Sequence, residues 1–104
     1  NNREVKNIGI FAVSDVIAIG ILKALNTKNM KIPQEAAVIG FDNIDFSAVT
    51  EPSLTTVSQP GYELGAESVK SLVRKITGEY SDPEKIILDH ELIVRETTNK
   101  FVLK

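Results

Sequence analysis

Two short apolar runs, Ile8 to Val13 and Ala36 to Phe41, flank a stretch whose apolar residues recur at helical spacing. No other feature restricts the fold as much. Both runs contain β-branched and aromatic residues and are bounded by polar ones, which predicts strands buried on both faces. Between them Ile17, Ala18, Ile21, Leu22 and Leu25 fall on one face of a helix of about three to four turns. Ser14 and Asp15 both suit its N-terminus, because their side-chain oxygens accept from backbone N–H groups that have no helical partner. Asn26 to Asn29 ends it, with Asn29 suited to the left-handed conformation. Pro33 then prevents the helix from resuming. Strand, helix, strand with short connections is a βαβ unit, whose crossover is expected to be right-handed.

The remainder continues the alternation. Asn43 to Ser53 is a looser stretch with room for one helical turn, and Leu54 to Val57 reads as a third strand. Pro60 sits where a first helical residue would be. Beyond it Tyr62, Ala66, Val69, Leu72, Val73 and Ile76 trace a second amphipathic helix, stopped by Gly78. Tyr80 to Glu84 is a turn signalled by Asp82-Pro83. Ile86 to Leu88 and Leu92 to Val94 read as strands, and Phe101 to Leu103 as a short edge strand. The sum is an α/β fold with a mostly parallel sheet.

Composition excludes several function classes. At 104 residues the chain has room for one small domain. Its 42% hydrophobic and 25% charged residues are those of an ordinary globular protein, which argues against disorder. Without cysteine there is no disulfide framework, thiolate metal site or cysteine nucleophile. A net charge of −2, with the basic residues scattered, gives no stripe to track DNA phosphates. No apolar run approaches a membrane span, and no signal-peptide pattern is visible. The start at Asn1, without Met, is read as a fragment or a processed product.

In open parallel sheets ligands bind outside the C-terminal ends of the strands. The first strand ends at Ser14 and Asp15, the second at Asp42 and Asn43, the third at Ser58 and Gln59. A carboxylate suits sugar hydroxyls or purine N–H groups, and an amide both donates and accepts. Ser14 and Asp15 are either helix caps or contacts. Asp42 is read as a ligand contact and Asn43 as a turn residue. Gln59 either contacts a ligand or caps the helix from Pro60. His90, the sole histidine, has no acid or Cys at ligand spacing and is read as a surface residue, so no metal or cofactor is expected.

Four segments then resemble LacI-type bacterial transcription regulators, in the same order and at compatible spacing. They are Ile10-Phe11-Ala12-Val13-Ser14-Asp15 with Ala18-Ile19-Gly20 and Ala24-Leu25; Ile32-Pro33 through Val38-Ile39-Gly40-Phe41-Asp42-Asn43; Pro52-Ser53-Leu54-Thr55-Thr56-Val57-Ser58-Gln59-Pro60; and Leu92-Ile93-Val94-Arg95-Glu96-Thr97-Thr98. The resemblance implies the C-terminal part of a two-lobed, periplasmic-binding-protein-like (type I) effector-binding core, preceded in the family by a helix-turn-helix domain absent from this chain. It carries ligand contact onto Ser14 (usually Asn in the family), Asp42 and Gln59, and gives Asp15 a share in shaping the strand-to-helix turn. It places residues 1–59 and 96–104 in the C-terminal lobe and 60–95 in the N-terminal lobe, with hinge crossings at Ser58-Gln59-Pro60 and Ile93-Val94-Arg95. It further implies a small-molecule effector, commonly a sugar, that controls operator binding allosterically. A cytoplasmic homodimer follows from it too, with Ile17, Ile21, Phe46 and Val49 at the interface. In isolation the second helix would either pack back on its own sheet or exchange with a second copy.

Two alternatives stay open. One is a periplasmic sugar-binding protein of the same fold. The other is a phospho-receiver domain in which Asp15 and Asp42 hold Mg²⁺, although no lysine ends a strand as that chemistry requires.

Overall fold

The computed structural model describes residues 7–79 and 85–99. The expected turn at 80–84 and edge strand at 101–103 lie outside the described residues. The chain divides into two compact units, Asn1–Ser58 with Glu91–Lys104, and Gln59–His90.

In the first unit, β1 (Ile8–Phe11) and β2 (Ala36–Ile39) pair in parallel, with Ile8 opposite Ala36 and Phe11 opposite Ile39. The connecting helix α1 (Asp15–Thr27) is the crossover element that a parallel pair requires. Ser14 caps it by accepting from Ile17 N–H at 3.2 Å, and Asn29 takes a φ of 60° just past its end, so both local signals hold. The parallel ladder passes from β2 to the third strand through Gly40 N–H to Thr55 O and Asp42 N–H to Val57 O, both 2.9 Å. That strand, β3, spans Thr56–Ser58, and β4 (Glu91–Ile93) runs antiparallel to it. The mostly parallel expectation thus holds for three strands and changes direction at the fourth.

The core is Ala12, Ala18, Leu22, Val38 and Leu54, with Ile10, Ile19, Ile21, Leu25 and Ile32 packed against it. Burial on both faces is not realised for β1: its residues alternate between half-buried and exposed, and Phe11 is 66% exposed. Ile10 and Ala12 face α1, whereas Phe11 and Val13 project the other way. Among its described residues, the unit has no second long helix to cover that face.

In the second unit α2 spans Gly61–Ile76, starting one residue after Pro60, and Gly78 with φ 82° follows its C-cap Thr77. Glu63 in its first turn and Arg74 and Lys75 in its last complement the helix dipole. No residue of α2 is buried. The expected strand at Ile86–Leu88 does not form either. A strand needs an edge to pair with, and the described part of this unit offers none.

Candidate functional site

The ends of the first three strands are locked side by side. Asp15 N–H donates to Phe41 O at 2.9 Å, and Asp42 N–H reaches Val57 O at the same distance. Between them the backbone turns sharply: Asp42 has φ 120° and Asn43 φ 58°. A residue with a Cβ rarely adopts the φ of Asp42, which costs about 1–3 kcal/mol and persists only where the surroundings enforce it, whereas asparagine tolerates the left-handed value at Asn43. Asp42 is exposed at this corner.

Asp15 supplies part of the enforcement. It is fully buried; Oδ1 accepts from Thr56 Oγ1 at 2.6 Å and Oδ2 from Ile44 N–H at 2.8 Å. Gly40 leaves room for it. A Cβ there would collide with Asp15 Oδ1 and would lie 3.0 Å from Leu54 Cδ2 and 3.3 Å from Ala18 Cβ. Asp15 is therefore withdrawn from direct ligand contact, because both of its oxygens are spent inside the fold. The same bonds remove it from an acidic pair with Asp42. Among the described residues no group of His, Cys, Asp or Glu is arranged to hold a metal ion.

The other expected contacts are placed as follows. Ser14 is half-buried at the head of α1, its oxygen engaged by Ile17 N–H while its own proton can still be donated. Asn43 is a turn residue, as its type indicated; its N–H donates to Thr56 Oγ1 at 3.2 Å. Ser14 and Asp42 thus sit on adjoining strand ends. Gln59 directly follows β3 and opens the second unit, half-buried. Of the four residues expected at an interface, Ile17, Phe46 and Val49 are 49%, 69% and 70% exposed. Ile21 is partly buried against the core. His90 is exposed, as expected.

Residues 2–98 match the family model of the periplasmic binding protein-like domain. The chain belongs to that family. The LacI-type resemblance is borne out by its relatives. The HTH-type transcriptional repressor CytR of Escherichia coli is 38% identical over 89 residues, which is 86% of this chain and 26% of CytR. Among solved structures, a complex of the transcriptional regulator CelR with cellobiose superposes with a TM-score of 0.80 at 35% identity, over 86% of this chain and 27% of CelR. The lac repressor dimer bound to operator and an anti-inducer gives 0.79 at 27% identity, over 86% of this chain and 31% of that one. The chain therefore spans about a quarter of the length of the curated relatives it matches.

What residue type alone missed in this periplasmic binding protein-like domain is the clamp made by residues 95–98. Thr97 Oγ1 donates to Val38 O at 2.6 Å and accepts from Thr55 N–H at 2.9 Å. Thr55 Oγ1 accepts from Arg95 N–H at 2.7 Å and lies 2.7 Å from Thr98 Oγ1. Glu96 accepts from the N–H and hydroxyl of Ser53 at 2.9 and 3.2 Å. The Arg95 guanidinium joins the Asp42–Asn43 corner. The only sequence trace of this arrangement was the hydroxyl-rich Val94 to Thr98 segment, legible as a family marker and not as a clamp.

Proposed function

We propose that this chain is the effector-sensing part of a LacI-type transcription regulator. A small polyhydroxylated molecule, a sugar by class, binds at the corner formed by Ser14 and Asp42, with Gln59 a further contact on the strength of the family resemblance alone, and controls operator affinity through a DNA-reading domain elsewhere in the intact protein. The observation that carries the reading is Asp42, exposed and held at φ 120° where three strand ends are hydrogen-bonded together. A carboxylate there accepts from neighbouring sugar hydroxyls, while the Ser14 hydroxyl can donate back. That one relative has been solved with cellobiose favours a sugar over other small metabolites.

In this reading residues 1–59 and 96–104 belong to the C-terminal lobe and residues 60–95 to the N-terminal lobe, bounds that differ from those of the two units, where Gln59 falls in the second and Glu91 to Arg95 in the first. Ser58-Gln59-Pro60 and Ile93-Val94-Arg95 are then the crossings; the first spans the division at Ser58 and Gln59, and the second lies within the first unit, past the division at His90 and Glu91. Effector binding shifts a homodimer between operator-binding and non-binding states, a coupling of about 1–3 kcal/mol. The exposed Ile17, Phe46 and Val49 support a dimer contact, with Ile21 behind them as packing. The protein is a binding module and not an enzyme, and acts in the cytoplasm where its operator lies. No described helix is long and apolar enough to cross a membrane.

The test is a thermal-shift screen of the intact protein against cellobiose, pentoses and nucleosides, followed by titration calorimetry. A ligand raises the melting temperature by mass action. Asp42→Asn is expected to weaken the bound sugar at least about tenfold, or roughly 1.4 kcal/mol. Unchanged affinity in that variant would remove Asp42 from the site and the reading with it.

A further inference from the structure

Asp15 holds one flank of the Asp42–Asn43 corner; the other flank is held from β4's side of the unit. Arg95, half-buried just past β4, donates through Nη1 to Ser47 Oγ at 2.8 Å and Leu54 O at 2.9 Å, and through Nη2 to Asn43 Oδ1 at 3.2 Å. Ser47 is fully buried, and its hydroxyl bridges Asn43 Oδ1 at 3.2 Å and Ile44 O at 2.7 Å. The fork thus reaches the corner both directly and through Ser47. Its described partners are neutral oxygens. A guanidinium gives such oxygens charge-assisted bonds in a fixed planar geometry that an ammonium cannot copy.

We infer that Arg95 is a positioning residue for the proposed effector site. It fixes Asn43 at φ 58°, and through it the exposed Asp42 at φ 120°, so that the carboxylate is presented before ligand arrives. Pre-organisation of this kind lowers the ordering cost of binding. Arg95 touches the corner and need not touch the ligand. The inference rests on the effector reading, so the test must separate the two.

The test is amide hydrogen exchange on the intact protein without ligand, comparing wild type with Arg95→Lys, Ser47→Ala and Glu96→Ala. In Arg95→Lys the Asn43 and Ile44 amides are expected to exchange on the order of tenfold faster, while those of Ala12 and Gly40 keep their rates. Ser47→Ala, the milder change, gives the same local pattern at smaller amplitude and serves if the lysine variant does not fold. Glu96→Ala loosens the Ser53 contact and leaves the corner amides unmoved. Equal acceleration at all four amides, or unmoved corner amides, overturns the inference. Calorimetry with cellobiose then separates the claims. Weakening in Asp42→Asn together with Arg95→Lys supports both, and weakening in Asp42→Asn alone overturns the positioning role. Wild-type affinity in Asp42→Asn overturns the effector reading itself, and with it any site for Arg95 to position.

Discussion

The first unit turns its hydroxyls inward, and the second turns its aliphatic residues outward. Ser47, Thr55, Thr56 and Thr97 are essentially fully buried, together with Asp15. Each is hydrogen-bonded within the unit, so none incurs the penalty of an unmet polar group. The apolar core beside them is small, with Leu22 and Leu54 its largest fully committed members. In α2 the order reverses: Val69, Leu72, Val73 and Ile76 are 50–74% exposed on a helix that buries nothing. The contrast separates two sources of order. One unit is specified by bonds among its own residues, which is what a pre-formed polar corner needs. The other carries an amphipathic stripe whose stabilising surface its described residues do not supply.

The contrast breaks most readily at Gly40. Gly40→Ala drives a methyl group into Asp15 Oδ1, with Leu54 and Ala18 closing the remaining space. Overpacking plus loss of a buried charge-assisted bond should cost about 3 kcal/mol or more. Urea unfolding monitored by circular dichroism would read this as a lower midpoint; a near-wild-type midpoint would show that the buried Asp15 does not hold the corner rigidly. Thr97→Val comes next. It keeps the shape but leaves Thr55 N–H without its acceptor in a buried place, for an expected loss of about 2 kcal/mol. A loss under about 0.5 kcal/mol would mean that the threonine clamp is ornament and that the small apolar core suffices. Ser14→Ala sharpens the picture at the site itself. Removing the cap should cost about 1 kcal/mol. If the hydroxyl also donates to the effector, sugar affinity measured well below the melting temperature falls as well; if affinity stays, Ser14 is a cap and nothing more.

How much of this was legible in advance follows the distance over which each decision is made. The Ser14 cap, the left-handed Asn29 and the Gly78 stop depend on neighbours within one turn, and each was readable from residue type. The βαβ start was readable because apolar spacing changes from continuous to helical and back. Asp15 was not, since its fate is decided by Thr56 and Ile44, at sequence separations of 41 and 29 residues. Arg95 lies 52 residues from Asn43, and no local pattern announces that pairing. The unformed strand at Ile86–Leu88 is the opposite failure. Its apolar run was real, but a run cannot say whether a pairing edge exists. Likewise β1 carries the composition of a doubly buried strand while only one of its faces is covered.

The smallest effect tests the second half of the contrast. Leu72 is 57% exposed on α2, so Leu72→Ser should change the unfolding free energy of the chain by less than about 0.5 kcal/mol. That corresponds to a shift of a few degrees at most for a domain of this size. Its association should change more. If a second copy covers the stripe by exchanging elements, sedimentation of the wild-type chain at rising concentration shows increasing mass, and the serine variant stays smaller at the same concentrations. A wild-type chain that remains monomeric throughout would defeat the exchange. A stability loss in Leu72→Ser as large as that in Thr97→Val would defeat something more basic, because it would mean that the stripe is already buried within one chain and that the two units are stabilised in the same way.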